Sequence, residues 1–315
     1  MKQRTLTGAA IIAALILVLF ARELTSYIFD AFILMLAVVA TYEMSKLLAK
    51  QGLYNNIFFV CIYPVISYAL YIVGLLCHLK WYMILVMQIG AIILLVGALI
   101  LYGLISTKKT KNEIETRKLK LKSETFSVFK SVHTMFAYLY PTALMLFFVL
   151  LNNLGSMGYI FTNSVQYLKE ISLFAVILTL VIPIFADTFA YLTGSLFKGP
   201  KLCPKVSPNK TISGAVGGII WGTVGAFIVF LIFNSLPIYS EAFAEIGLEF
   251  WHFIILGFVA SIISECGDLF ESYIKRKANA KDSGTFLAGH GGILDRMDSH
   301  IVCAPVVFLF FVILL

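Results

Sequence analysis

The chain has 315 residues, of which 60% are hydrophobic and 13% charged, with a formal net charge of +7 and a mean hydropathy of +0.93. A soluble domain is about 45–50% apolar and about 25% charged, so a chain of this length cannot hide the excess in a water-surrounded core, and lipid is the better solvent. The positive charge lies in short stretches between apolar runs, a pattern that the positive-inside rule explains and nucleic-acid binding does not. The five cysteines (Cys61, Cys77, Cys203, Cys266 and Cys303) include no C-x-x-C pair, which argues against a zinc site or a disulfide framework.

The predicted fold is all-α: a polytopic transmembrane helical bundle of about nine spans, each of about 20 apolar residues. In chain order they cover approximately 5–21, 27–48, 57–77, 82–106, 133–151, 171–194, 213–234, 249–270 and 300–315. The first resembles a signal peptide, but Leu19-Phe20-Ala21 lacks a small-x-small cleavage pattern and a second span follows closely, so it reads as a retained helix. With the N-terminus in the cytoplasm and nine spans alternating, 21 of the 24 Lys and Arg fall inside, leaving Arg22, Lys80 and Lys169 outside. Two regions are expected: 1–132, N-terminal spans ending in a basic cytoplasmic loop over 107–132, and 133–315, a C-terminal catalytic membrane region. The basic loop (Lys108 to Lys130) reads as an orientation-setting linker facing anionic lipid.

Two inside segments differ from that linker because they join charge to Gly, Pro and carboxylates. The first holds Asp187, then Ser207-Pro208-Asn209-Lys210-Thr211, then Gly214-x-x-Gly217-Gly218 at the start of the seventh span. An ionised side chain at the centre of a span costs about 2.5–3.5 kcal/mol, so Asp187 is expected to face a polar, protein-lined cavity. A glycine-rich helix start preceded by Lys210 and Thr211 makes an anion-binding corner, or else a turn followed by small-residue helix packing.

The second segment begins inside the eighth span. Ser264, Glu265, Asp268, Glu271, Ser272 and Lys275 recur at spacings of three and four, which sets one polar stripe on a helix running from membrane to cytoplasm. Lys275-Arg276, Lys281-Asp282, Gly289-His290-Gly291-Gly292 and Asp295-Arg296-Met297-Asp298 follow. Aspartate is a hard oxygen ligand suited to Mg²⁺, Lys and Arg bind phosphate oxygens, and glycines let backbone approach a ligand. Together they point to a Mg²⁺–polyphosphate site.

The run Ser272-x-Ile274-Lys275-Arg276-x4-Lys281-Asp282-x-Gly284-x2-Leu287-x2-His290-Gly291-Gly292-Ile293-x-Asp295-Arg296-Met297-Asp298 resembles the signature of the phosphatidate cytidylyltransferases, or CDP-diacylglycerol synthases. Ser207-Pro208-x-Lys210-Thr211 and Gly267-Asp268-x-x-Glu271-Ser272 resemble two further landmarks of that family. Ala288, Asn209 and Ser213 stand where the family usually has Pro, Lys and an acidic residue, and Phe197-Lys198-Gly199 replaces the order Phe-Gly-Lys.

The resemblance implies that CTP and phosphatidic acid are joined to give CDP-diacylglycerol and pyrophosphate. It implies Asp268, Asp295 and Asp298 as ligands of Mg²⁺, and Lys275, Arg276, Lys281 and Arg296 as partners of the triphosphate and the lipid phosphate. Asp282 and His290 join the catalytic set, with His290-Gly291-Gly292 closing around the nucleotide. Ser207, Pro208, Lys210, Thr211, Asp187, Glu271 and Ser272 would complete the substrate cradle. A multi-pass protein of a bacterial cytoplasmic (inner) membrane is expected, its site on the cytoplasmic side, where a diacyl lipid and soluble CTP can meet; pairing as a homodimer is left open. Two other readings stand beside this one: a CTP-dependent lipid-alcohol kinase, and a transporter with Asp187, Glu265 and Asp268 along an ion path. The clustering of charge on one side and the lack of a repeat count against the transporter.

Overall fold

The computed structural model describes residues 2–105, 123–155, 167–287 and 291–315. Helices α1 (Lys2–Arg22), α2 (Ser26–Lys50), α3 (Ile57–Leu76) and α4 (Trp81–Ile105) form the first part. Helix α5 (Ser123–Ala137) continues through a π-helical turn (Tyr138–Ala143) into α6 (Leu144–Asn152). Helix α7 (Leu168–Phe197) leads to a hairpin of β1 (Lys201–Cys203) and β2 (Ser207–Thr211), and then come α8 (Ile212–Asn234), α9 (Pro237–Ile246), α10 (Phe250–Lys277) and α11 (Leu294–Leu314).

The fold is all-α and polytopic. Among the described residues eight helices are long and apolar enough to cross a membrane; the apolar stretch Gly8–Arg22 of α1 is shorter. A helix pairs its backbone N–H and C=O groups within its own segment, which is what hydrocarbon demands; Pro64, Pro141, Pro183 and Pro305 interrupt that pairing locally.

Four local features depart from the sequence expectation. The last helix begins at Leu294 instead of near 300, because Asp295 and Glu43 accept from backbone N–H groups at its start. Residues 123–132, read as part of a loop, are the first turns of α5, which runs across the expected 132/133 boundary. The polar 198–210 segment is tied down as an antiparallel hairpin, with Lys201 opposite Thr211. The acidic 235–248 connection holds α9, opened by a proline in its first turn.

Helices α7 and α8 pack through small residues. Along α8, Gly214, Gly218 and Gly222 recur every fourth position and face Ala186, Ala190 and Gly194 of α7. A Cβ at Gly218 would overlap both the Ala186 carbonyl and the Glu265 carboxylate of α10, so α7, α8 and α10 meet there with no room for a side chain. Near the start of α2, a polar network ties α1, α2, α3, α6 and α7 together. Asp30, fully buried, accepts from Asn152 Nδ2 (2.8 Å), Asn153 Nδ2 (3.0 Å) and the Tyr68 hydroxyl (3.1 Å), while Arg22 Nη2 donates to Ser172 Oγ (2.6 Å).

Candidate active site

The stripe foreseen on the eighth span is real, and it is buried. Ser264, Glu265, Glu271, Ser272 and Lys275 of α10 are all at most 9% exposed, and Asp268 is half-buried. The i, i+3, i+4 spacing sets these groups on one helix face, and two charged assemblies form along it.

The first gathers at Asp268. Lys210 of β2 places its ammonium 2.7 Å from Asp268 Oδ2, and the Ser272 hydroxyl donates to Oδ1 at 3.3 Å. Asp187 of α7, Glu265 and Asp298 of α11 lie within Coulombic reach of Asp268. Asp187 keeps an exposed edge, though protein atoms crowd it, while Asp298 is buried. Burial alone would lower the Lys210 ammonium; Asp268, with help from Asp187 and Glu265, holds it above its ordinary range.

The second gathers at Asp295. Lys275 bridges it to Glu271: its ammonium lies 2.8 Å from Asp295 Oδ1 and pairs with Glu271, whose side chain is wholly buried. The other oxygen, Oδ2, accepts from Ser283 N (2.8 Å), Ser283 Oγ (2.9 Å) and Gly292 N (2.8 Å). Gly291 makes that turn at φ +83°, with Asp295 Oδ2 where a Cβ would stand, so only glycine fits. Ser283 and Gly292 are thereby drawn onto the start of α11.

The remaining expected residues divide. Thr211 is the N-cap of α8, accepting from Gly214 N at 3.1 Å, and Ser213 Oγ accepts from Gly199 N at 3.3 Å, so the anion-binding corner is partly filled by the chain's own hydroxyls. Ser207 and Pro208 lie on β2. Arg276 donates to the carbonyls of Val206 (3.1 Å) and Ala280 (3.3 Å), which ties the hairpin to the end of α10. Lys281, Asp282 and Arg296 are exposed around the loop. His290 lies outside the described residues. The three aspartates expected to bind metal are split: Asp268 and Asp298 belong to one assembly, and Asp295 is engaged in the other.

Two residues escaped the sequence reading. Glu43 of α2, 4% exposed, accepts from Leu294 N at 2.9 Å and from Ser283 Oγ at 3.3 Å. Tyr140, in the broken helical turn, lies edge-on to Phe270 and within reach of Glu271, Asp298 and Asp268. Its buried hydroxyl has no hydrogen-bond partner among the described residues. An acidic residue inside an apolar span was the available signal for Glu43. No sequence signal marks Tyr140.

Fold and site together define a polytopic membrane protein whose helix ends carry paired carboxylates and cations beside a glycine turn. Residues 2–314 match the Cytidylyltransferase family, and the chain belongs to it. It is similar to proteins named phosphatidate cytidylyltransferase: 46% identical over 122 residues to that of Rickettsia prowazekii (39% of this chain, 51% of that protein). The Rickettsia typhi protein is 44% identical over 122 residues, with the same shares, and the Brucella abortus protein 42% identical over 124 residues (39% and 42%). The match thus spans about half the length of the curated relatives, or less.

Proposed function

We propose that the chain joins CTP to phosphatidic acid, releasing CDP-diacylglycerol and pyrophosphate. A phosphate oxygen of phosphatidic acid attacks the α-phosphorus of CTP; the bond from that phosphorus to the bridging oxygen breaks, and pyrophosphate leaves with its electron pair. Family membership and the relatives' names support this reading. The observation that carries it is the placing of two lysine–carboxylate pairs, Lys210–Asp268 and Lys275–Asp295, on one face of α10 beside the Gly291-Gly292 turn.

Among the described residues no three His, Cys, Asp or Glu side chains converge to hold a metal by themselves. That suits Mg²⁺, which commonly takes only one or two carboxylates and completes its shell with water and substrate phosphates. Asp268 and Asp298 are its best holders: Asp268 is accessible and already faces a cation, and Asp298 accepts only the adjacent Ser299 N–H among the hydrogen bonds seen. Bound there, Mg²⁺ would neutralise the polyphosphate. Asp295 keeps the loop folded and Lys275 oriented. Lys275, Arg276, Lys281 and Arg296 would share the phosphates, with Lys210, which faces Asp268, a further cation within the same cradle.

The reading sets the site on the cytoplasmic side of a bacterial inner membrane, where 21 of 24 basic residues would lie. It requires CTP and phosphatidic acid as partners and no nucleic acid; pairing of two copies is testable by the mass of the detergent-solubilised protein. Purified protein given CTP labelled at the α-phosphate, phosphatidic acid and Mg²⁺ is expected to yield a labelled lipid. Label reaching lipid only from the γ-position indicates a kinase instead. No label in lipid from either, in protein that remains folded, overturns both.

A further inference from the structure

The loop between α10 and α11 is held from outside its own half of the chain. Glu43 lies seven residues before the end of α2, and its carboxylate reaches both ends of that loop: Ser283 at the start and Leu294 at the first turn of α11. A Cβ at Gly284 or Gly292 would overlap the same carboxyl group, so the loop backbone is pressed directly against Glu43. Ser283 is shared. Its hydroxyl is 2.9 Å from Asp295 Oδ2 and 3.3 Å from Glu43 Oε2, and one proton can serve only one carboxylate at a time. The second oxygen, Glu43 Oε1, is buried with no partner among the described residues. A further tie runs beside it, from Gln51 Nε2 to the Ile274 carbonyl at 3.1 Å.

Burying a carboxylate is costly, and simple packing between α2 and the loop would be met more cheaply by an apolar side chain. What the acid adds is direction. It caps the N-terminal amides of α11, where a negative charge also meets the positive end of the helix dipole, and it fixes the loop against that cap.

We infer that Glu43 is a positioning residue for nucleotide binding, clamping Ser283-Gly284 and the Gly292–Leu294 turn so that the groups flanking them stand over the Lys275–Asp295 pair. This rests on the cytidylyl-transfer reading, since Lys281, Asp282 and Gly291 adjoin the clamped residues and Gly292 is one of them.

The test compares full-length wild type with Glu43→Gln and Glu43→Ala in detergent, each first shown by melting to be folded. KM for CTP is expected to rise about 10–100-fold in Glu43→Ala, the range seen when supporting partners of a site are removed. KM for phosphatidic acid stays near wild type, and Glu43→Gln, which keeps volume and an acceptor oxygen, recovers part of the loss. Independently of activity, trypsin should cut after the exposed Lys281 faster in Glu43→Ala than in wild type. A folded Glu43→Ala with wild-type KM for CTP and wild-type cleavage at Lys281 overturns the inference, as does an activity loss that follows melting alone. If wild type makes no CDP-lipid, the transfer reading fails instead, and the trypsin comparison still decides the clamp.

Discussion

Lys275 is the side chain whose removal should reveal most about how the site is held. It is 11% exposed and stands between Glu271 (0%) and Asp295 (8%), so Lys275→Met leaves two carboxylates without their shared cation. Breaking a buried pair by deleting one partner costs about 3–5 kcal/mol, because the surviving charge stays buried. The two survivors differ. Asp295 retains three donors, from Ser283 N, Ser283 Oγ and Gly292 N, whereas Glu271 retains none that matches them. Most of the cost therefore sits on Glu271, and adding Glu271→Gln should restore about 2 kcal/mol, within the range of coupling between residues in one network. Melting in detergent should show Lys275→Met lowered by on the order of 10 °C, with the double variant regaining a clear part of that. Additive effects of the two substitutions, or a Lys275→Met melting point equal to wild type, would refute the claim that the ammonium neutralises Glu271.

Other outcomes follow from the same geometry. Asp30→Ala strands donors from Asn152, Asn153 and Tyr68 and should cost about 3 kcal/mol of stability, read by melting, with activity per folded molecule retained. Asp268→Asn should leave melting near wild type but lower turnover about 100-fold and raise the Mg²⁺ concentration for half activity; normal turnover at limiting Mg²⁺ removes Asp268 from the metal. Tyr140→Phe deletes a buried hydroxyl that has no partner among the described residues, so the melting point should hold or rise, and a fall would mean that the hydroxyl is bonded.

Much of this was legible in the residues themselves. Apolar runs of about 20 residues located the spans, and the three-and-four spacing from Ser264 to Lys275 set a polar face on α10. What stayed hidden was tertiary. Glu43 sits in Thr41-Tyr42-Glu43-Met44, far in sequence from every motif, and only folding carries it to Ser283 and Leu294. The early start of α11 was invisible for the same reason: the acceptors that stabilise its first turn come partly from α2. Spacing also could not tell that Asp268 and Asp295, 27 positions apart, would take different lysines.

The glycine seam between α7 and α8 bears on how the protein can move. Where main chain touches main chain there are no rotamers to readjust, so the two helices and the adjoining stretch of α10 act as a stiff beam beneath Asp268. Any rearrangement around Asp268 then falls to the parts hung from that beam, such as the short β1–β2 arm carrying Lys210.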